Sequence, residues 1–156
     1  MADVPAFDFA AILRASPIVL GMTEGSQDAV LMRLLNELVA AGTLPPDQLD
    51  AARAAVYARE EIGGSTALAN GIAIPHGYLE SAETLVAALG VHACGVDGPS
   101  IDGQPARIFI LLLNQRESRD HIRFLAAINR RLIIPEVRAG VLLAQTRDEV
   151  LRLLAG

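Results

Sequence analysis

"ARIFILLLN", residues 106–114, decides how the rest of the chain is read. It is a near-continuous apolar run, with no polar side to alternate, which suits a strand covered on both faces. Its core, "IFILLL", is far too short to span a bilayer. Working outward, "TLVAALGVHA" (84–93) reads as a second strand, and "DGPSIDGQP" between the two is turn material. "PIVLGM" (17–22) reads as a third short strand. Helical patterns surround these runs. Ser26 is placed to cap a helix with apolar Val30, Leu31, Leu34, Leu35 and Leu38, stopped by Gly42. "LPPDQL" restarts a helix with Pro46 in its first turn; Leu49, Ala52 and Val56 mark one face, and the helix ends near Ile62. Gly63, Gly64, Asn70 and Gly71 punctuate a loop-rich stretch around "STALA". Ser118 is placed to cap a helix through "RDHIRFLAAINRRL", "IPEVRAGVLL" reads as another, and "TRDEVLRLLA" opens with Thr146 and Glu149 at capping-box spacing. Helices interleaved with a few apolar strands predict an α/β layered fold. Connections longer than tight hairpins predict that part of the sheet is parallel.

Composition narrows the function classes. The chain has 156 residues, a length expected of one domain, and 52% of them are hydrophobic, which argues against disorder. At that size a core needs neither disulfide nor metal. Cys94 is the only cysteine, so no intrachain disulfide and no C-x-x-C metal site can form. A reducing cytoplasm is the expected location, since the first residues lack a charged-then-apolar signal pattern. The formal net charge is −5 with few aromatics, a poor balance for nucleic-acid binding. The 13 fixed positive charges are all arginine, which excludes a Schiff-base lysine and a lysine-dependent phosphate loop.

The chemistry rests on three histidines. His92 lies in an apolar strand pattern beside Cys94 and reads as a packed or hydrogen-bonded structural residue. His121 would occupy the third position of a helix capped by Ser118. That end carries partial positive charge and unpaired backbone N–H groups, which suits a neutral ring and a bound anion; position alone also fits an ordinary surface histidine. His76 sits in "NGIAIPHG" (70–77), where the apolar segment Ile72–Pro75 delivers it to a turn. A neutral imidazole has one N–H donor and one lone pair, and the lone pair is a nucleophile near neutral pH. Attack on a phosphoryl group needs one nitrogen pinned and the other available. Pro75 restricts the backbone before the ring, and Gly77 permits close backbone approach. A structural role for His76 stays open on these grounds. Other chemistries fit less well: Ser65 or Thr66 lack a G-x-S-x-G elbow. A two-histidine metal site lacks a ligand signature, so no metal or other cofactor is expected. Arg59, beside Glu60 and Glu61, is either a phosphate contact or one more surface charge.

"REEIGGSTALANGIAIPHG" (59–77) resembles the active-site segment of enzyme IIA of the phosphoenolpyruvate-dependent sugar phosphotransferase system. The resemblance is to the fructose/mannitol class, which includes the nitrogen-regulatory enzyme IIA proteins. It continues through "DGQPARIFILLLN", "DHIRFLAAINRRL" and "TRDEVLRLL", covering about residues 6–155. It implies an α/β fold with a small mixed sheet flanked by helices. It implies that His76 accepts a phosphoryl group from the phosphorylated histidine of an HPr-like carrier, and that His121 orients it or contacts the phosphoryl group. Ser65, Thr66, Asn70 and Gly77 are carried over as phosphoryl- or partner-binding positions. In sugar-transporting members the group then passes to a cysteine of a IIB domain. At the length of a free-standing member, a regulatory binding module switched by phosphorylation is the alternative; neither reading involves nucleic acid or membrane insertion. This chain departs from the pattern twice. Gly63-Gly64 adds a residue, relative to many members, between the Ser-Thr pair and Arg59, which is carried over as a further phosphoryl contact from that shifted position. Ala69 stands where relatives commonly have glycine.

Overall fold

The computed structural model describes residues 6–61, 69–98 and 102–156. The apolar run forms β5 (Ala106–Asn114), with the bounds its composition predicts. On one side it pairs antiparallel with β4 (Val86–Val96), and β4 pairs in parallel with β1 (Ile18–Met22). On the other side it pairs in parallel with two short strands, β2 (Ile72–Ala73) and β3 (His76–Tyr78). The result is a mixed sheet in the order β1-β4-β5-β2, with β3 also on β5, as the sequence predicts for class and for partial parallel pairing.

Alternation along β5 explains why the run is apolar throughout. Phe109, Leu111 and Leu113 face one core layer, which they share with Val30, Leu34, Leu35 and Leu38 of α2 (Gln27–Ala40) and Ala52 and Val56 of α3 (Leu49–Glu61). Ile108, Ile110 and Leu112 face the other, built from Leu13 of α1 (Phe9–Ala15), Phe124 and Ile128 of α4 (Asp120–Leu132), Val141 of α5 (Pro135–Leu143) and Val150 of α6 (Arg147–Ala155). Six α-helices therefore flank the sheet among the described residues. None of the helices among them is long and apolar enough to cross a membrane.

Several local expectations change. "LPPDQL" forms a single 3-10 turn, Pro46–Gln48, before α3 begins at Leu49. β4 extends to Val96 because a register shift after Val91 lets the strand bulge and continue. His92 sits at that shift and is buried. Its Nδ1 accepts from the N–H groups of Cys94 and Gly95 at 3.2 and 2.9 Å, and its Nε2–H donates to the Glu24 carbonyl at 2.7 Å. The ring thus satisfies three backbone groups at a place where the ladder cannot, which matches its structural reading. The expected loop around "STALA" lies outside the described residues.

Candidate functional site

His76 does not lie in a turn. It opens β3, paired with Leu112 of β5. The break between β2 and β3 falls at Ile74 and Pro75, and it is what holds the ring. Proline has no N–H and keeps the residue before it extended. The Pro75 carbonyl accepts from Leu112 N–H at 3.0 Å, so pairing with β5 resumes there. The Ile74 carbonyl lies 2.9 Å from His76 Nδ1. A carbonyl only accepts, so Nδ1 carries the proton and the lone pair of the neutral ring is on Nε2. The ring is partly exposed.

Gly77 points to the opposite face, toward α3. A Cβ there would stand 2.7 Å from the Ala55 carbonyl carbon and 2.8 Å from the Val56 nitrogen. Gly77 is thus buried against a helix backbone, and the close approach foreseen from the sequence is made by α3.

Strand alternation puts His76 and Tyr78 on one face, the face of α4. Tyr78 meets the His121 ring edge-on, with centroids 6.0 Å apart and planes at 86°. His121 is the second residue of α4 rather than the third. Arg119 occupies the cap position without a side-chain bond, because a turn from Gln115 to Ser118 carries the chain one residue further. Ser118 still serves the helix end, since its hydroxyl accepts from Asp120 N–H at 3.3 Å. The His121 ring is held through Nδ1, which lies 3.0 Å from Asn114 Nδ2 and 3.2 Å from the Ser118 carbonyl. Asn114 ends β5 opposite Tyr78, is 3% exposed, and its Nδ2 also lies 3.4 Å from the Ser118 carbonyl. Asn114 Nδ2 can only donate to Nδ1 and the Ser118 carbonyl can only accept from it, so the two contacts call for opposite tautomers and together fix the orientation of the His121 ring.

The two histidines therefore share the α4 face of the sheet, His76 at the start of β3 and His121 just past the carboxyl end of β5, the end at which open α/β sheets offer their ligand sites. Three residues that the sequence reading passed over complete this corner: Tyr78, Asn114 and Arg116. The Arg116 guanidinium carbon stands 4.8 Å from the Tyr78 ring centroid, a cation–π contact. "HGY" and "LNQRES" adjoin the histidines in sequence, which is the one signal that marked these segments.

Asn70 is not brought to this corner. It takes a left-handed conformation, φ 65°, and its N–H donates to Asp102 Oδ2 at 2.9 Å. The carbonyl of the next residue, Gly71, accepts from Arg107 and Ile108 at the far end of β5. The register from Ile72 to His76 is unbroken against β5, so Gly71 and His76 are separated by about 16 Å at strand rise. Asn70 thus shapes the turn into β2; residues adjacent in sequence are far apart along an extended chain. The Asn70 N–H, and after it that of Gln104, hold the Asp102 carboxyl below the usual carboxylate range. Ser65 and Thr66 lie outside the described residues, as does the side chain of Arg59, whose backbone belongs to α3. Among the described residues, no group of three or more His, Cys, Asp or Glu side chains could hold a metal ion.

Known proteins share this arrangement of chain. Residues 11–156 match the family model described as phosphoenolpyruvate-dependent sugar phosphotransferase system, EIIA 2. A fructose-specific EIIA component from Haloferax volcanii is 30% identical over 149 residues, covering 95% of both chains. A fructose-specific EIIABC component from Bacillus subtilis is 29% identical over 144 residues; the match covers 92% of this chain but 22% of that larger protein. The crystal structure of the nitrogen regulatory protein IIA-Ntr from Neisseria meningitidis superimposes with a TM-score of 0.80 at 25% identity, covering 93% of this chain and 97% of the other. The strand-borne histidine, the helix-borne histidine beside it and the sheet that joins them thus occur in a chain that belongs to the EIIA 2 family of the phosphoenolpyruvate-dependent sugar phosphotransferase system.

Proposed function

We propose that this chain is a phosphohistidine carrier that accepts a phosphoryl group on His76 Nε2 from a phosphorylated HPr-like protein. The observation that carries the reading is the His76 Nδ1–H···O=C Ile74 hydrogen bond, which fixes the tautomer and directs the nucleophilic lone pair to Nε2. In the transfer, a P–N bond to Nε2 forms as the P–N bond in the donor breaks, and the donor nitrogen keeps that electron pair. No proton moves. The phosphorylated ring keeps Nδ1–H and becomes cationic, so its hydrogen bond to Ile74 strengthens as charge develops. His121, its Nδ1 held by Asn114 and the Ser118 carbonyl, turns its Nε2 edge to the phosphoryl oxygens and donates to them when that nitrogen carries a proton. Positioning and charge stabilisation are the main requirements of phosphoryl transfer.

Incubation with enzyme I, HPr and phosphoenolpyruvate is expected to produce an acid-labile label on His76 that is absent from His76→Ala. Unlabelled wild-type protein, with the partners shown competent on another IIA, would overturn the reading.

The onward step has two candidates, transfer to a IIB cysteine or a change of regulatory partner. The likeness to IIA-Ntr favours the second. A phosphoryl group adds charge and acceptor oxygens that recruit arginine-rich surfaces and repel acidic ones. Capture of partners by wild-type, His76→Ala and phosphorylated protein separates the two; recovery of IIB domains alone would remove the regulatory reading.

A further inference from the structure

We infer that Arg116, carried on the face of Tyr78, is a third contact of the phosphoryl group on His76; this rests on the carrier reading above. Arg116 is exposed just beyond the end of β5, in an acidic chain. Arg123, on the first turn of α4, bonds Asp120 at 3.1 Å. The Arg116 guanidinium lies 4.8 Å from the Tyr78 centroid. The segment behind it is tied down twice: Gln115 Nε2 donates to the Glu80 carbonyl at 2.9 Å, and Arg116 N–H donates to the Glu80 carboxylate at 3.4 Å. Both bonds join this loop to the chain just after β3. Tyr78 itself is two residues from His76 on the same strand face, about 7 Å away, and its ring edge meets His121. One aromatic ring therefore contacts a guanidinium and an imidazole on the strand face that carries His76.

A guanidinium stacked on an aromatic face keeps its N–H edges for hydrogen bonding, and those edges match phosphoryl oxygens. The three equatorial oxygens carry the group's negative charge while the donor P–N bond breaks and the bond to Nε2 forms, so a fixed cation positioned on them favours in-line transfer and holds the product. Tyr78 is a positioning residue for this contact, and its hydroxyl is not required.

The test compares wild type with Arg116→Gln, Arg116→Lys, Tyr78→Phe and Tyr78→Leu in single-turnover transfer from phospho-HPr. Removing one charge-assisted contact is expected to lower the limiting transfer rate about tenfold in Arg116→Gln, with little change in the phospho-HPr concentration at half-saturation. Tyr78→Leu should lose at least as much, because its ring also meets His121; Tyr78→Phe should keep the wild-type rate, and Arg116→Lys should recover part of the loss. The Tyr78→Leu/Arg116→Gln double variant should be no slower than Tyr78→Leu alone. A second arm phosphorylates the same proteins with phosphoramidate and follows phosphohistidine hydrolysis by 31P NMR. There, Arg116→Gln should shorten the lifetime and shift the resonance. If wild type is phosphorylated by phosphoramidate but not by phospho-HPr, the carrier reading fails while the second arm still decides Arg116. An effect confined to half-saturation, with hydrolysis unchanged, would make Arg116 a partner contact and overturn the inference; so would wild-type behaviour of Arg116→Gln in both arms.

Discussion

Replacing Gly77 with alanine tests whether the strand that presents His76 is set by its contact with α3. The added Cβ would stand 2.7 Å from the Ala55 carbonyl carbon, 2.8 Å from the Val56 nitrogen and 3.0 Å from the Ala55 Cβ. Carbon atoms pack at about 3.5–4.0 Å, so strand and helix must part by about 0.8 Å. Two of the three atoms are backbone, so no rotamer change relieves the clash. Overpacking of this kind costs about 1–3 kcal/mol. For a chain of this size each kcal/mol lowers the melting temperature by about 2–4 °C, so a fall of about 2–12 °C is expected. His76 is covalently next to the displaced residue, and misplacement approaching 1 Å is expected to slow phosphoryl transfer by at least about tenfold. The control is Gly25→Ala, at an exposed position where a Cβ meets nothing within 4 Å; it should stay within about 0.5 kcal/mol of wild type. Thermal unfolding followed by circular dichroism gives the first quantity, and single-turnover labelling the second. A Gly77→Ala protein that melts within a degree of the Gly25→Ala control would refute the packing argument.

Three further outcomes follow from particular contacts. Asn114→Leu removes the buried amide that holds His121 Nδ1 and faces the Ser118 carbonyl; urea unfolding should register a loss of about 1–3 kcal/mol, and labelling should slow. His92→Leu leaves the Glu24 carbonyl and the Cys94 and Gly95 N–H groups without the ring; a loss of about 2–3 kcal/mol is expected, with labelling of His76 unchanged in the folded fraction. The Asp102 carboxyl is depressed in the folded chain by the Asn70 and Gln104 N–H groups. Its stabilising contribution is therefore fully present above the unfolded value, about 3.9, and is lost as pH falls through the lowered folded value. The amide resonances of Asn70 and Gln104 should titrate together below about pH 4, and Asp102→Asn should abolish that titration.

What could be read from sequence was what depends on a single segment. The run 106–114 has no polar side, so its strand bounds and its double coverage follow from composition. Ser26 caps α2 by accepting from Ala29 N–H at 3.1 Å, as its position implies. Thr146 likewise accepts from Glu149 N–H at 3.2 Å, while the Glu149 carboxylate reaches past the cap to Gln145 N–H. Helix α1 went unread because it is seven residues long, although Asp8 caps it by accepting from Ala11 N–H at 3.1 Å. The site was harder to read because its members come from different segments. Tyr78 faces His121 only because β3 pairs with β5 in the register Tyr78↔Asn114, and α4 starts just beyond. That register has no trace in either segment alone. Asn70 is carried over with the segment that resembles enzyme IIA, and the extended backbone from Ile72 to His76 sets it apart from the histidine corner.

The four residues Ile74-Pro75-His76-Gly77 divide two jobs between the faces of one strand. Toward α3, Gly77 must be small, because a helix backbone lies where a side chain would go. Toward α4, His76 must hold a chosen tautomer, and for that it needs an acceptor that the β ladder does not use. Among the described residues β2 and β3 pair only with β5, and a parallel partner takes every second carbonyl, Gly71 and Pro75 among them, so the Ile74 carbonyl faces away from the ladder; at Pro75 the ladder is also interrupted. Pro75 makes the interruption local: it withholds an N–H, holds Ile74 extended, and returns its own carbonyl to Leu112. The Ile74 carbonyl then serves the ring two residues on. A histidine placed for packing would need neither the interruption nor the bare position beside it. The Ile74 carbonyl sets the proton, proline holds Ile74 extended, and glycine sets the depth of the strand against α3.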